Sequence, residues 1–503
     1  MSEADKTNGA IANGGSRRVG VIDVGSNSVR LVVYQSGKRV PILVFNEKVL
    51  CGLGRKLSST GLLDPEGVEL ALASTRRFTV LAREMGVDRL DMVATAAVRD
   101  AGDGADFVAR VSDFCGHELK ILSGHEEAHL AACGIMAGFA GADGLVGDLG
   151  GGSLELVGVG QGNIGAHATL PLGPLQLLDL SRGDPDIATR VVDEHLCKQA
   201  WIGDFHGHTF YAIGGAWRAL AKLHMARTGY KLRILHYYTA GGKDMLAFAR
   251  FIAGQTKDSL RRFQRAPKKR LATLPFAARA LAGVLDVLQP RRVVFSALGL
   301  REGLLFNQLT PEVRKLDPLI EECRARASEQ GRFAEHGHEL FDWIGPLFAT
   351  ETARKKRLRL ATCLLSDTGW RGHPDYRAEL ILGQIMNGQF VSLDHPGRAF
   401  VGLALFICYG GSLNSNSVQR VTALLNREQI VIAQRIGVAL RLGQRISGGT
   451  EGLLHKCGLV ASDRELALKV PHGRGHLVGE VAARRLKALG QTLGLTTRVE
   501  ISG

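Results

Sequence analysis

The sequence predicts two related α/β lobes around a cleft, followed by a mainly helical C-terminal domain. Three observations predict it. A strand, Asp, Gly-rich turn, strand pattern at Asp23 recurs at Asp148, strand-turn-helix units follow each copy, and strand signals thin out beyond about Asn307.

The 503 residues are 45% apolar and 22% charged, an ordinary globular composition with enough apolar mass for several cores. Met1 to Ser16 carries Gly, Asn and Ser without an apolar core, so 1–16 is expected to be a disordered N-terminal tail rather than a signal peptide. No apolar run reaches the roughly 18 residues of a membrane helix. The eight cysteines show no Cys-x-x-Cys spacing, which predicts reduced thiols in a cytoplasmic protein and argues against a disulfide frame or a zinc site. Lys and Arg number 63 against 49 Asp and Glu, a net charge of +14 that suits a polyanionic ligand. A solvated basic surface has the same composition.

Arg18 to Gly25 has the short apolar run and terminal Gly of a buried strand; Ser26-Asn-Ser28 supplies turn residues before Val29 to Tyr34. This predicts a β-hairpin with Asp23 at its bend. Asp91 to Thr95 reads as a strand and Asp106 to Cys115 as a helix, placing Arg99 in the connection, where α/β folds line their clefts. Lobe I is expected over 17–143. Gly144 to Gly158 then repeats the first pattern: Asp23-Val-Gly-Ser-Asn-Ser-Val-Arg-Leu31 aligns without gaps on Asp148-Leu-Gly-Gly-Gly-Ser-Leu-Glu-Leu156. Tyr211-Ala-Ile-Gly-Gly-Ala-Trp-Arg is a third strand-turn-helix unit, and Arg291 to Phe295 with Gly299-Leu-Arg-Glu-Gly303 a fourth. Lobe II is expected over 144–308. Ala- and Leu-rich helical patterns dominate from Pro318 to about Leu440, so 309–503 forms the C-terminal domain.

Gly-rich turns let backbone N–H groups approach phosphate oxygens without an intervening Cβ. Gly25, Ser26, Asn27 and Ser28 form one such turn, and Gly150, Gly151, Gly152 and Ser153 the other. Read singly, each is a tight structural turn; the pairing argues for a site. On extended strands alternate residues share a face, so Arg30 sits with Ser28 and Glu155 with Ser153. One lobe offers a cation and the other an anion, as phosphoryl transfer requires: guanidinium clamps phosphate while Asp148, Glu155 and Asp23 surround a metal. Ser123 to Glu126 has the form of a helix capping box, which gives Glu126 a structural task and makes Glu127 the preferred general base.

Together these residues resemble the ordered signature of the exopolyphosphatase and guanosine pentaphosphate phosphatase family: Asp23 to Leu31, Ala94-Thr-Ala-Ala-Val-Arg-Asp100, Ser123-Gly-His-Glu-Glu-Ala128 and Asp148 to Leu156. The resemblance covers about 17–305. It implies the double-lobed fold of actin, sugar kinases and Hsp70 (ribonuclease H-like lobes), phosphate-binding loops at Asp23 to Arg30 and Asp148 to Ser153, a phosphate-binding Arg99, a metal near Asp148 and Glu155, and a catalytic glutamate in the Glu126-Glu127 pair. The 309–503 segment resembles the degenerate HD-like domain of longer members. His336, Asp342, Asp367, His373 and His395 are candidate ligands there, but Ser366-Asp367 stands where an active domain carries His-Asp, so these histidines are read as structural or as anion contacts.

One departure concerns Lys269-Arg-Leu-Ala-Thr-Leu-Pro275, where the family often has Arg-Ala-Asp. The basic run Arg261, Arg262, Arg265, Lys268, Lys269 and Arg270, and a second at Arg354 to Arg357 with Arg359, are candidates to track a polyphosphate chain or are solvated helix faces. The expected function is therefore exopolyphosphatase activity with Mg²⁺, or another divalent cation such as Mn²⁺, releasing orthophosphate from inorganic polyphosphate. The alternatives are hydrolysis of guanosine pentaphosphate (with guanosine tetraphosphate as a related ligand), an ATP-dependent kinase or chaperone on the same fold, and a non-catalytic sensor. The resemblance also implies a homodimer; no membrane or nucleic-acid partner is expected.

Overall fold

The computed structural model describes residues 17–55, 57–263 and 268–502; the expected tail at 1–16 and Arg265 lie outside them. Residues up to Leu316 form one compact unit and those from Asp317 a second.

The first unit contains two sheets. In the first, β1 (Arg17–Gly25), β2 (Ser28–Ser36), β3 (Ile42–Leu50), β4 (Arg89–Ala94) and β5 (Leu119–Ile121) lie in the order β3-β2-β1-β4-β5. β1, β2 and β3 are antiparallel neighbours, while β4 and β5 run parallel to β1. The second sheet holds β6 (Gly144–Leu149), β7 (Leu154–Gly160), β8 (Asn163–Leu170), β9 (Thr209–Ile213), β10 (Tyr238–Gly241) and β11 (Arg292–Phe295), in the order β8-β7-β6-β9-β11-β10. Its first five strands repeat the first sheet in order and direction, and β10 adds an antiparallel edge. The internal repeat read at Asp23 and Asp148 is therefore a repeat of whole sheets.

Both central strands read as apolar runs because helices cover both faces. In the first lobe, Ile22, Val24, Val29 and Leu31 pack with Leu72 and Phe78 of helix Pro65–Glu84, whose start is capped by Asp64 accepting from Gly67 N at 3.1 Å. Two further helices cross between the lobes, and here packing departs from the expected 143/144 division. Helix Gly124–Gly138 belongs to lobe I by sequence, yet Ala128, Ala131 and Ile135 bury against Val146, Val157 and Ile213 of the second sheet. Helix Leu300–Asn307 follows the second sheet, yet its Leu305 joins Val19, Val32 and Tyr34 of the first. The two helices touch backbone to backbone: a Cβ on Gly303 would lie 1.8 Å from Leu130 O. A Cβ on Gly134 of the first helix would likewise lie 2.3 Å from Gly299 O.

The expected boundary at 308/309 shifts to 316/317. Helix Pro311–Lys315 stays with the first unit because Arg314 donates to Leu309 O at 2.9 Å and Arg39 donates to Leu316 O at 3.1 Å.

The second unit is mainly helical, built on helices Arg377–Asn387, His395–Cys408 and Arg427–Ser447. It ends in a three-stranded sheet, β12 (Gly458–Ala461), β13 (Glu465–Pro471) and β14 (Thr496–Ser502), in the order β12-β13-β14. Short apolar runs such as Leu466-Ala-Leu-Lys-Val lack a decisive period, which is why the strands were not legible in the sequence. Of the HD-like positions, Asp342 and His373 are exposed, His395 is buried, and Asp367 and His336 are satisfied internally. Asp367 is gripped by Arg332 (Nη2–Oδ1 2.6 Å), and buried His336 bridges Glu339 at 2.9 Å and Ser447 at 3.0 Å. The second basic run does not form a free track: Arg354, Lys355, Arg357 and Arg359 pair with Asp394, Glu428, Asp317 and Glu351. Among the described residues no helix is long and apolar enough to cross a membrane.

Candidate active site

The cleft of the first unit is lined by the two hairpins, the start of helix Gly124–Gly138 and the turns after β9 and β11. Gly25 pairs with Ser28, so the first bend is the two-residue turn Ser26-Asn27. Asp23 lies on the strand before it, facing Arg30 in register, and not at the bend as expected; a two-residue loop leaves no place for it there. In the second hairpin Asp148 faces Glu155 at the same register position.

The two turns converge. A Cβ on Gly151 would lie 3.0 Å from Ser26 Cβ, so a side chain there would press on the opposite turn. Each turn is held through its carbonyls: Gly54 N donates to Ser26 O (2.8 Å), Leu175 N to Gly151 O (3.0 Å) and Gly173 N to Gly152 O (3.1 Å). In a planar trans peptide N–H points opposite C=O, so the N–H groups of Asn27, Gly152 and Ser153 face away from those supports. Gly25, Ser26, Asn27, Ser28, Gly150, Gly151 and Ser153 line the cleft, with Gly152 at the turn behind them.

The glutamate pair divides as the capping box requires. Glu126 accepts from Ser123 N at 2.9 Å and pairs with Lys120 at 2.6 Å, and these contacts hold it down to about 2. It does not line the cleft. Glu127, one step round the helix, is 8% exposed and does. It bonds the Arg99 guanidinium, while Arg99 also donates to Leu122 O at 3.1 Å and to Asp100 at 3.0 Å. Burial pushes Glu127 up to about 7 against the pull of Arg99, with Asp148 and Asp23 adding to the rise. Arg99 itself stands in a short helix, Ala96–Asp100, rather than in an irregular connection, because Ala-Ala-Val favours helix directly after extended Thr95. It reaches the cleft through Glu127.

Asp148 and Glu155 supply two further carboxylates, Glu155 buried and Asp148 half-buried. Burial raises Asp148 to about 6, and burial together with Glu127 raises Glu155 well above the carboxylate range. Glu155 Oε1 is buried without a hydrogen-bond partner. An orphaned carboxylate oxygen beside a second carboxylate fits a divalent cation that completes its shell with phosphate oxygens and water. Asp23 does not close a third side, since Arg301 pairs with it at 3.5 Å, and among the described residues no group of three or more His, Cys, Asp or Glu is placed to hold a metal. The expected three-carboxylate arrangement narrows to a pair.

The structure also brings in Lys48, Arg218 and Arg301, which sequence reasoning left without a role, together with Arg270 from the first basic run. Arg301 and Arg218 stood in recognised strand-turn-helix motifs, and Arg270 in the segment that departs from the family pattern. The signal for Lys48 was only its place on β3 opposite Arg30.

The sequence pattern of the Ppx/GppA phosphatase family matches residues 32–312, and that of the exopolyphosphatase C-terminal domain matches 319–499. Exopolyphosphatase 2 of Mycobacterium tuberculosis is 28% identical over 323 residues, covering 58% of this chain and 94% of that protein. A guanosine-5'-triphosphate,3'-diphosphate pyrophosphatase of Aeromonas hydrophila is 23% identical over 482 residues, covering 90% of this chain and 92% of its own. The crystal structure of an exopolyphosphatase from Cytophaga hutchinsonii superposes with a TM-score of 0.54 at 21% identity, over 58% of this chain and 99% of that one, and shares the actin-like fold. With paired hairpins, crossed helices and both matched domains in place, the chain belongs to the Ppx/GppA phosphatase family, enzymes that hydrolyse phosphoanhydrides.

Proposed function

We propose that the protein is an exopolyphosphatase that removes the terminal phosphate of inorganic polyphosphate as orthophosphate. The convergence of the two turns, with Glu127 buried beside them, carries this reading. The terminal phosphoryl group sits between the turns, where N–H groups and the hydroxyls of Ser26, Ser28 and Ser153 receive its oxygens. Glu127 takes a proton from the attacking water at its carboxylate. A carboxyl poised near neutral pH is suited to this, and Arg99 fixes its orientation. Asp148 and Glu155 are the residues that would hold Mg²⁺ or Mn²⁺; such a cation, when bound, supplies neutralisation of phosphate charge.

The net charge of +14 and the cations lining the cleft support polyphosphate as the substrate. Guanosine pentaphosphate is the second reading, favoured by similarity over 90% of the chain to the Aeromonas hydrophila pyrophosphatase. The leaving group alone distinguishes the two. Orthophosphate release from long-chain polyphosphate with Mg²⁺, run beside guanosine pentaphosphate, is the test. Glu127→Ala should lower release by about 10³-fold while polyphosphate still binds. No release from either substrate would leave a sensor or a kinase.

A further inference from the structure

Outside the cleft, the start of helix Gly124–Gly138 meets β8, the outer strand of the second sheet, at a pair of imidazoles that the chemistry above does not use. His125 Nδ1, in the first turn of the helix, stands 2.9 Å from His167 Nε2 on the strand. Both residues are exposed, so a small solute reaches them. Thr169, two residues on and therefore on the same face of β8, packs so closely on Gly124 that a Cβ there has no room. The Ser123 capping box fixes that first turn. Both imidazoles thus stand on rigid elements that hold their spacing before anything binds.

A hydrogen bond between two imidazoles needs the donor N–H aimed along the N···N line, which sets the ring centres about 5 Å apart at this nitrogen separation. Here the centres lie 4.3 Å apart with the ring planes at 49°. The rings are folded off the line, which weakens a hydrogen bond and leaves the nitrogen lone pairs directed beside it, as ligation of a shared atom requires. Two nitrogens that bind one cation at about 2.0–2.1 Å, with a right angle between the bonds, stand about 2.9 Å apart. A tetrahedral pair stands about 3.3 Å apart. The observed separation therefore matches a square-planar or octahedral cation directly, and Zn²⁺ after a small opening.

The neighbours define the ligand set further. Glu126 is spent on its cap and on Lys120, and His129, one helical turn on, lies 3.4 Å from Asn307 Oδ1 and 3.6 Å from Cys133 Sγ. Two imidazoles remain, with water to fill the other positions. Imidazole nitrogen selects Ni²⁺, Cu²⁺ and Zn²⁺, whereas Mg²⁺ takes oxygen.

We propose that His125 and His167 form a second cation site, distinct from the Asp148–Glu155 pair, for a divalent transition metal of the Ni²⁺ and Cu²⁺ class. A cation there ties the edge of the second sheet to the helix that carries Glu127, two residues beyond His125.

Calorimetric titration with Ni²⁺ in excess Mg²⁺, which leaves oxygen sites occupied, tests the pair without turnover. His125→Gln or His167→Gln should each weaken Ni²⁺ by about 100-fold, because the second ligand of a chelate binds intramolecularly, and the double change should cost no more than about 3-fold beyond either. Both side chains are exposed, so melting of the metal-free variants should match the unsubstituted protein. Glu155→Gln should leave the Ni²⁺ affinity within about 2-fold, since its carboxylate belongs to the other site. With Cu²⁺ at one equivalent, the electron paramagnetic resonance spectrum should show coupling to nitrogen that either histidine substitution reduces. Ni²⁺ binding that survives both substitutions, or a Cu²⁺ spectrum with oxygen ligands alone, overturns the proposal.

Discussion

Across the first hairpin Asp23 faces Arg30; across the second, at the same register position, Asp148 faces Glu155. The backbones are equivalent, strand for strand, and each turn is two residues long. The chemistry is not. In lobe I the aspartate is neutralised by Arg301 and its cross-strand partner is a cation, so this hairpin presents positive charge. In lobe II the aspartate meets a second carboxylate whose Oε1 has no partner, so that hairpin presents negative charge. A duplicated frame thus places opposite charges on facing walls, which is what a site for a metal-bound phosphate needs.

The strongest way to break this comparison is to remove the charge that distinguishes the second hairpin. Glu155→Gln keeps the shape and should lower phosphate release by about 10³-fold or more, read as kcat at saturating Mg²⁺. A loss that excess Mg²⁺ fully restores would assign Glu155 to cation affinity alone. Arg30→Gln makes the matching change in the first hairpin and should act on KM, by about 10-fold, with a smaller change in kcat. Equal effects on both constants would mean the hairpins do not divide the work as proposed.

The same asymmetry predicts a pH dependence of stability. Asp148, Glu127 and Glu155 hold protons more tightly in the folded chain than in an unfolded one. Their contribution to stability is therefore full below the ordinary carboxylate range and is lost as pH rises through about 6 and 7. In chain free of divalent cations, Glu155→Gln should raise the Tm at pH 8 by roughly 3 °C more than it does at pH 5. Equal gains at the two pH values would show that these carboxylates do not repel one another.

The mildest change tests convergence itself. Gly151→Ala places a methyl 3.0 Å from Ser26 Cβ, so the turns must part by a few tenths of an ångström. We expect a loss of activity of about 3- to 10-fold with unchanged folding, since positioning errors of this size weaken catalysis before stability. Wild-type activity in Gly151→Ala would place the phosphate elsewhere.

Much of this site was legible in the chain. The gap-free match of Asp23 to Leu31 on Asp148 to Leu156 fixed the paired hairpins, because strand periodicity places every second residue on one face whatever packs around it. The capping box separated Glu126 from Glu127 for a similar reason: it is a contact between residues three apart. What the chain alone could not show were contacts between residues far apart in it. Arg301 engages Asp23, Lys48 lines the same cleft as Arg218 and Arg270, and Arg332 takes the Asp367 carboxylate; each depends on where a distant segment lands. The exchange of helices Gly124–Gly138 and Leu300–Asn307 between the sheets was hidden likewise, since an amphipathic helix records that it buries a face but not against which sheet. Local periodicity and short-range hydrogen bonding are written in the sequence, whereas the charge balance of the cleft is decided only when the two lobes fold around one another and bring unlike segments within a few ångströms.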